Sequence, residues 1–335
     1  MKLLTVVIPC YNSQDYMEKC IRSILPAGER VEIIIIDDGS KDNTGKIADE
    51  YARKYPSIIR VIHQENGGHG EGINQGLRHA SGRYFKVVDS DDCLSDDLTA
   101  FMEQLEQFDQ QGGTDLVVTN YYYVHSDGVG DRSINYSNAL PKNRVIKWSE
   151  TRSFQLHQLL TIHSCTFRTE VMRKSGVNLP KHTFYEDNLL VFAILPYVKR
   201  LCYLNMDLYR YTIGREGQSV QKDIMMKRYD HQIRVTQMCF ESVHLDTVAD
   251  KRLKKYMKHE LFMMFAIATL YTRMNQNEDA ERDLIRMWES CKLYDARYTR
   301  MLRRSPLALI NMPGKAGMKF VKLIYGVAHK VVRFN

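Results

Sequence analysis

The chain has 335 residues, 44% hydrophobic and 26% charged, ordinary for a folded protein and long enough for one large domain with an appended part, or for two domains. Its net charge is +7, and nine Lys and Arg run from Arg297 to Arg333 with no acid among them; such a tail suits an anionic surface, lipid or nucleic acid, and equally a solvated helical face. The seven cysteines (10, 20, 93, 165, 202, 239 and 291) include no CxxC pair, which argues against a disulfide framework or zinc site and for a reducing compartment.

The opening MKLLTVVIPC holds an apolar run too short for a secretion signal, and the stretch after Pro9 is amphipathic rather than a linker. It reads as a first strand over 4–8. Apolar spacing of three to four predicts a helix over 13–25, opened by Ser13 as N-cap. VEIIII at 31–36 is nearly continuous in apolar residues, as in a strand covered on both faces. A helix over 43–55, a strand over 58–62, a helix over 70–80 and a strand over 84–88 continue the alternation. Strand–helix repeats of this kind predict an α/β, doubly wound, mostly parallel sheet. Ligands bind such sheets beyond the carboxyl ends of the strands. Next come a helix at 96–107, a strand at 115–124, an irregular excursion at 126–147, a strand at 163–167, helices at 168–175 and 186–195, and short strands at 201–204 and 208–211. From 221 to 335 the pattern is nearly all helical, a C-terminal region suited to acceptor, oligomer or membrane-surface contacts. LFMMFAIATLY at 261–271 is about half a membrane span, so no transmembrane helix is expected.

Each of the first four strands ends in a polar cluster: PCYN, DDGS, HQENGGHG and DSDD. In DSDD, Asp89 and Asp91 are two apart, and an extended segment puts both carboxylates on one side. Like charges so close repel; a hard divalent ion, Mg²⁺ or Mn²⁺, bridging to a diphosphate resolves the repulsion. A solvated turn that caps the next helix is the plainer alternative. Asp37 and Asp38 meet a turn signal, Gly39-Ser40, where a carboxylate accepts hydrogen bonds from a base or ribose, or only caps the turn. Glycines 67, 68, 70, 72 and 76 permit close backbone approach and an anion at a helix start. Their spacing is neither GxGxxG nor a P-loop, which disfavours a dinucleotide site. Glu186 and Asp187 open an apolar helix whose dipole favours their charge, and one of them suits a general base. Arg210, Arg215 and Ser219 stand in a stretch with two glycines, where arginine suits a leaving diphosphate.

Taken in order, VVIPCYN at 6–12, IIIIDDGSKDNT at 33–44, QENGGHGEGINQGL at 64–77, VVDSDD at 87–92, YEDN at 185–188 and GREGQS at 214–219 resemble glycosyltransferase family 2. These are inverting nucleotide-sugar enzymes of the GT-A fold, and the resemblance covers about residues 3–220. It implies a catalytic domain over 1–220. Pro9, Tyr11 and Asn12 would line the nucleotide pocket, Asp38 face the base, and Asn66 and Gly68 lie near the nucleotide or donor sugar. Asp89 would stand near the donor sugar and ribose, with Asp91 the ligand of Mg²⁺ or Mn²⁺. Asp187 would be the general base with Glu186 its neighbour, while Arg215 and Ser219 contact the diphosphate from a flexible loop. His69 and Gly70 stand where members vary. The implied donor is a UDP-sugar, the acceptor a saccharide or lipid-linked saccharide, and the destination a cell-surface polysaccharide such as a capsule, wall polymer or exopolysaccharide.

Other classes compete. A haloacid dehalogenase-like phosphatase also carries DxD after a strand, but there a small residue and Thr or Val follow, where this chain has Asp92 and Cys93. A catalytically inactive homologue would hold a nucleotide or a partner protein without turnover. MKFVKLIYGVAHKVVRF at 318–334 mixes lysines with helically spaced apolar residues, as in a helix lying on an anionic membrane, or one packed on protein or a second subunit. Nucleic acid is disfavoured because no recognised module is present. The expected location is cytoplasmic, peripheral at the inner membrane face if the tail binds lipid, and a homo-oligomer stays open.

Overall fold

The structure, a computed structural model, describes residues 2–125, 131–214, 218, 221–275 and 277–332, with side chains of the last helix as far as Gly326. The chain divides into two compact units, Met1–Ile213 and Gly214–Asn335.

In the first unit the elements are β1 (Leu4–Cys10), α1 (Met17–Ile24), β2 (Val31–Asp37), α2 (Thr44–Lys54), β3 (Ile59–His63), α3 (His69–His79), β4 (Tyr84–Val87), β5 (Cys93–Leu94), α4 (Leu98–Gln110), β6 (Leu116–His125), β7 (Arg132–Ile134), β8 (Val145–Ile146), β9 (Cys165–Arg168), α5 (Thr169–Ser175), α6 (Glu186–Ile194) and β10 (Leu201–Ile213). One sheet runs in the order β3-β2-β1-β4-β9-β6-β10-β5, with β7 on β6 and β8 on β10. β3, β2, β1 and β4 are parallel. β9 lies antiparallel between β4 and β6, and β10 is parallel to β6. This is the mostly parallel α/β sheet that the alternation predicts. Ile33, Ile34, Ile35 and Ile36 are wholly buried, because a central parallel strand is covered on both faces.

Three local readings change. Helix α1 starts at Met17, not Ser13. The Ser13 and Gln14 amides donate sideways to Thr44 Oγ1 (2.6 Å) and Asp42 Oδ2 (3.2 Å), which ties this turn to the loop before α2. The strands read at 201–204 and 208–211 are one strand, β10, with a register shift between Leu204 and Tyr209. The polar residues that look like a break are bridged instead: Asn120 Nδ2 on β6 donates to Asn205 Oδ1 (3.3 Å) and Asp207 Oδ1 (3.1 Å). The excursion at 126–147 contributes β7 and β8 to the sheet, while 126–130 lie outside the described residues.

The second unit holds α7 (Lys222–Lys227), α8 (Tyr229–Ser242), α9 (Lys251–Met274), α10 (Glu278–Tyr294), α11 (Ala296–Arg303), α12 (Leu307–Ile310) and α13 (Gly314–Val332). Asp250 caps α9 by accepting from the Arg252 and Leu253 amides. Aromatic rings join the helices: Phe240 stands 5.7 Å from Phe265, which stands 4.8 Å from Trp288. The apolar window at 261–271 is core of α9, with Leu261, Phe265 and Ala268 wholly buried. Among the described residues no helix is long and apolar enough to cross a membrane. On α13, Val321 is buried and the Tyr325 ring lies 6.4 Å from Tyr271 of α9. Lys315, Lys319, Lys322 and Leu323 face outward. Of the two readings of this segment, packing on protein accounts for its described apolar side, and what it shows to solvent is chiefly basic.

Candidate active site

The parallel strands β1, β2 and β4 end on one edge, which gathers their terminal loops. Asn12, at φ 50°, accepts the Lys41 amide on Oδ1 (2.8 Å), and its own amide donates to Ser40 Oγ (3.1 Å). The β1 loop is thereby stitched to the β2 loop. Asp38 is 3% exposed. Its Oδ1 accepts from Gln64 Nε2 (2.6 Å) and the Gly67 amide (2.7 Å), and Oδ2 from the Gly68 amide (2.8 Å). Asn66 Nδ2 donates to the Asp38 carbonyl (2.9 Å). Asp38 therefore works as the anchor of loop 64–68. Residues 64–66 of that loop, with Tyr11, Gly39, Lys41 and His63, line a cleft of about 510 Å³. Tyr11 is half exposed beside it, and Pro9 is buried, its ring facing Gly72 of α3.

The glycine run serves close packing. A Cβ on Gly68 (φ 85°) would stand 2.9 Å from the His182 amide nitrogen, and one on Gly70 would stand 2.9 Å from Glu186 Cγ. The start of α3 thus meets the start of α6. Tyr185, immediately before Glu186, sits in the left-handed region at φ 69°, a strained conformation for a bulky residue.

At this meeting point the charged groups interlock. His69, the first residue of α3, places Nδ1 2.7 Å from Glu186 Oε1 and Nε2 2.9 Å from Asp89 Oδ1. Asp89 Oδ2 faces His163 Nε2 at 3.6 Å. Burial works to raise the Asp89 pKa, but the hydrogen bonds and charges of His163 and His69 outweigh it and hold this carboxyl well below the usual range. For His69, burial opposes the charged form and the two carboxylates override it, so its pKa is raised. Asp187 is half-buried; burial, then the charge of Glu186, push it up to about 6.

Residues 89–92 form a turn, closed by the Asp92 amide on the Asp89 carbonyl (3.0 Å), rather than an extended segment. The chain reversal brings Asp92 back toward Asp89, where the two-residue alternation had pointed to Asp91. Asp92 is 1% exposed and accepts from Tyr209 Oη (2.7 Å) and the Thr212 amide (2.8 Å). Burial and then the Asp89 charge push it well above its ordinary value. Among the described residues, Asp89, Asp92 and His163 bring ligand atoms within 4.8 Å of one another, and Asp91 is outside that group. Two carboxylates and an imidazole fit Mn²⁺ better than Mg²⁺, which favours oxygen alone. A cation there would offset the Asp89 charge that adds to burial in raising the Asp92 pKa.

Of the residues singled out in sequence, Asp89, Glu186 and Asp187 converge here, while Tyr11 and Asn66 line the cleft. Asp38, Asn12, Pro9 and Gly68 build its frame. Arg215 and Ser219 lie outside the described residues. His69, His163, Asp92, Tyr209 and Gln64 were not singled out as site residues. The one available signal was a histidine placed directly after Gly67-Gly68 at a helix start.

The description "Glycosyl transferase family 2" matches residues 5–175. Glycosyltransferase GlyG of Streptococcus pneumoniae serotype 4 is 41% identical over 130 residues, 38% of this chain and 42% of that protein. The minor teichoic acid biosynthesis protein GgaB of Bacillus subtilis is 27% identical over 222 residues, 65% of this chain and 24% of its own. The chain therefore spans less than half the length of these relatives. Among solved structures, S. aureus TarS 1–349 with UDP-GlcNAc overlays with a TM-score of 0.65 at 19% identity, over 89% of this chain and 83% of that one. The mannosyltransferase PcManGT from Pyrobaculum calidifontis, with GDP-Man and Mn²⁺, gives 0.54 at 15% identity, over 98% and 86%. At such identities the overlays speak for the fold alone, the GT-A arrangement. With over half its length matched, the chain belongs to glycosyl transferase family 2.

Proposed function

We propose that this chain transfers a sugar, with inversion, from a nucleoside diphosphate sugar (a UDP-sugar foremost) to an acceptor hydroxyl, with Asp187 as general base. The observation that carries the reading is Asp187 itself, a half-buried carboxyl pushed up to about 6 at the carboxyl edge of the sheet, within electrostatic reach of Asp89. A base poised near neutrality takes the acceptor proton as the oxygen attacks the anomeric carbon, and the nucleoside diphosphate leaves from the opposite face. The cleft beside Tyr11 and Asn66 is assigned to the nucleotide, Asp89 to the donor sugar and ribose, and Arg215 and Ser219, by the family motif, to the diphosphate. Asp91, by the family motif, would ligate a divalent ion, beside the cluster of Asp89, Asp92 and His163 that could share it; such an ion, when bound, supplies neutralising charge for a diphosphate. UDP-GlcNAc in TarS and Mn²⁺ in PcManGT support these assignments.

The test is nucleotide release from UDP-, GDP- and dTDP-sugars with Mn²⁺, Mg²⁺ or EDTA. Release from one donor, lost in EDTA, is expected, and the product made from an α-linked donor should be β by proton coupling. An α-linked product would sink inversion. Absence of release, with no stabilisation by any nucleotide, would sink the enzyme.

The acceptor we assign is a saccharide or lipid-linked saccharide of a cell-surface polymer, as the teichoic acid role in GgaB's name suggests. The second unit is proposed to meet anionic lipid through outward Arg297, Arg300, Arg304, Lys315, Lys319 and Lys322. Each such charge contributes about 1 kcal/mol near an anionic surface. Replacing Lys315, Lys319 and Lys322 together by Gln should therefore release the protein from phosphatidylserine vesicles in a pelleting assay; unchanged pelleting would rule this face out.

A further inference from the structure

We infer that His69 is a positioning residue, which ties Glu186 to Asp89 through its two ring nitrogens and so leaves Asp187 as the acid free to take a proton. The inference rests on the function proposed above. Its own grounds are geometric. Glu186 Oε1 is 2.7 Å from Nδ1, and Asp89 Oδ1 is 2.9 Å from Nε2. These residues lie on three separate pieces of chain, the first turn of α3, the turn after β4 and the first turn of α6. Nothing local in sequence holds them together. One planar imidazole sets the span between two carboxylates, and its rigidity leaves few rotamers to lose. The bond also consumes Glu186. That carboxyl is 2% exposed and faces a donor, whereas its neighbour Asp187 is half-buried and takes only an Asn188 Nδ2 contact (3.2 Å) among the hydrogen bonds described. Of two adjacent acids at one helix start, His69 thus selects which is the base. Gly70 belongs to the same device: any Cβ there would press on Glu186 Cγ and push it off the ring.

The test uses the full chain and its donor turnover. His69→Ala should lower kcat about 10–100-fold, the scale of misplacing a reacting group by about an ångström. Added imidazole should restore part of it, since the His69 side chain is one-third exposed. His69→Ala combined with Glu186→Gln should cost no more than the worse single change, because the two act as one unit. Unchanged kcat in His69→Ala, or losses that multiply with no imidazole rescue, would overturn the inference. Should His69→Ala fail to fold, His69→Gln carries the same test: its N–H donors share one nitrogen, whereas imidazole presents a nitrogen to each acid, so it should hold the pair less well and fall between wild type and Glu186→Gln. A readout independent of turnover is ¹⁵N-histidine NMR. Ring N–H signals that vanish in His69→Ala should shift in Glu186→Gln, where one of their acceptors changes from a carboxylate to an amide. Their absence in wild type overturns the bridge even where turnover is intact. If wild type turns over no donor, the proposed function fails while the NMR still decides the bridge.

Discussion

Asp187→Asn should lower kcat by about 10²–10⁴-fold, the range a general base supplies, while donor KM changes little. The substitution keeps shape and removes only the ability to take a proton. The same carboxyl sets the pH profile. Burial and the charge of Glu186 raise Asp187 to about 6, so below that pH it is protonated and cannot act as base. Its activity is therefore present above the raised pKa and lost below it. kcat/KM should climb roughly tenfold per unit to a plateau beginning near pH 6. Asp187→Asn should flatten that limb in its residual rate. A wild-type profile flat from pH 5 to 8, or a variant within about threefold of wild type, would remove Asp187 from the base position.

Asp38→Ala should damage the nucleotide cleft and the fold together. The Asp38 carboxylate accepts from two backbone amides and Gln64 Nε2. Removing it strands those donors, of which the Gly67 amide bond is fully buried. Each orphaned donor costs about 1–3 kcal/mol, so a loss of about 3 kcal/mol or more is expected in denaturant titration. Residues 64–66 of the loop it anchors line the cleft, so titration calorimetry should show weaker UDP binding as well. Asp38→Asn separates this from a base-facing role. An amide retains one acceptor oxygen and turns an NH₂ toward amide donors, so it should destabilise nearly as much. Unchanged stability with altered nucleotide preference would instead place Asp38 in contact with the base.

What could be read in sequence was local. Ile33–Ile36 announced a doubly covered strand because four β-branched residues have no polar face to offer water. The acids at 89 and at 186–187 stood out as charges at element ends. What escaped depends on folding back. The pairing of Asp89 with Asp92 follows from a single turn hydrogen bond, and sequence spacing alone does not separate a turn from a strand at DSDD. The His69–Glu186 contact joins residues 117 apart. No pattern of period two or 3.6 reaches that far. β10 looked like two strands because Asn205 and Asp207 are polar, and their partners Asn120 and Ser133 come from other parts of the chain.

The position of β9 has a consequence for synthesis. Its four residues fill the slot between β4 and β6, yet they come last of the three in the chain. Until Arg168 has left the ribosome, the finished edge of β4 and the long strand β6 both lack a native neighbour there. Such unpaired edges are the places where nascent chains associate wrongly. The later half of the first unit thus arrives as a wedge that closes a sheet already begun, and Glu186 and Asp187 emerge only after β9 has emerged.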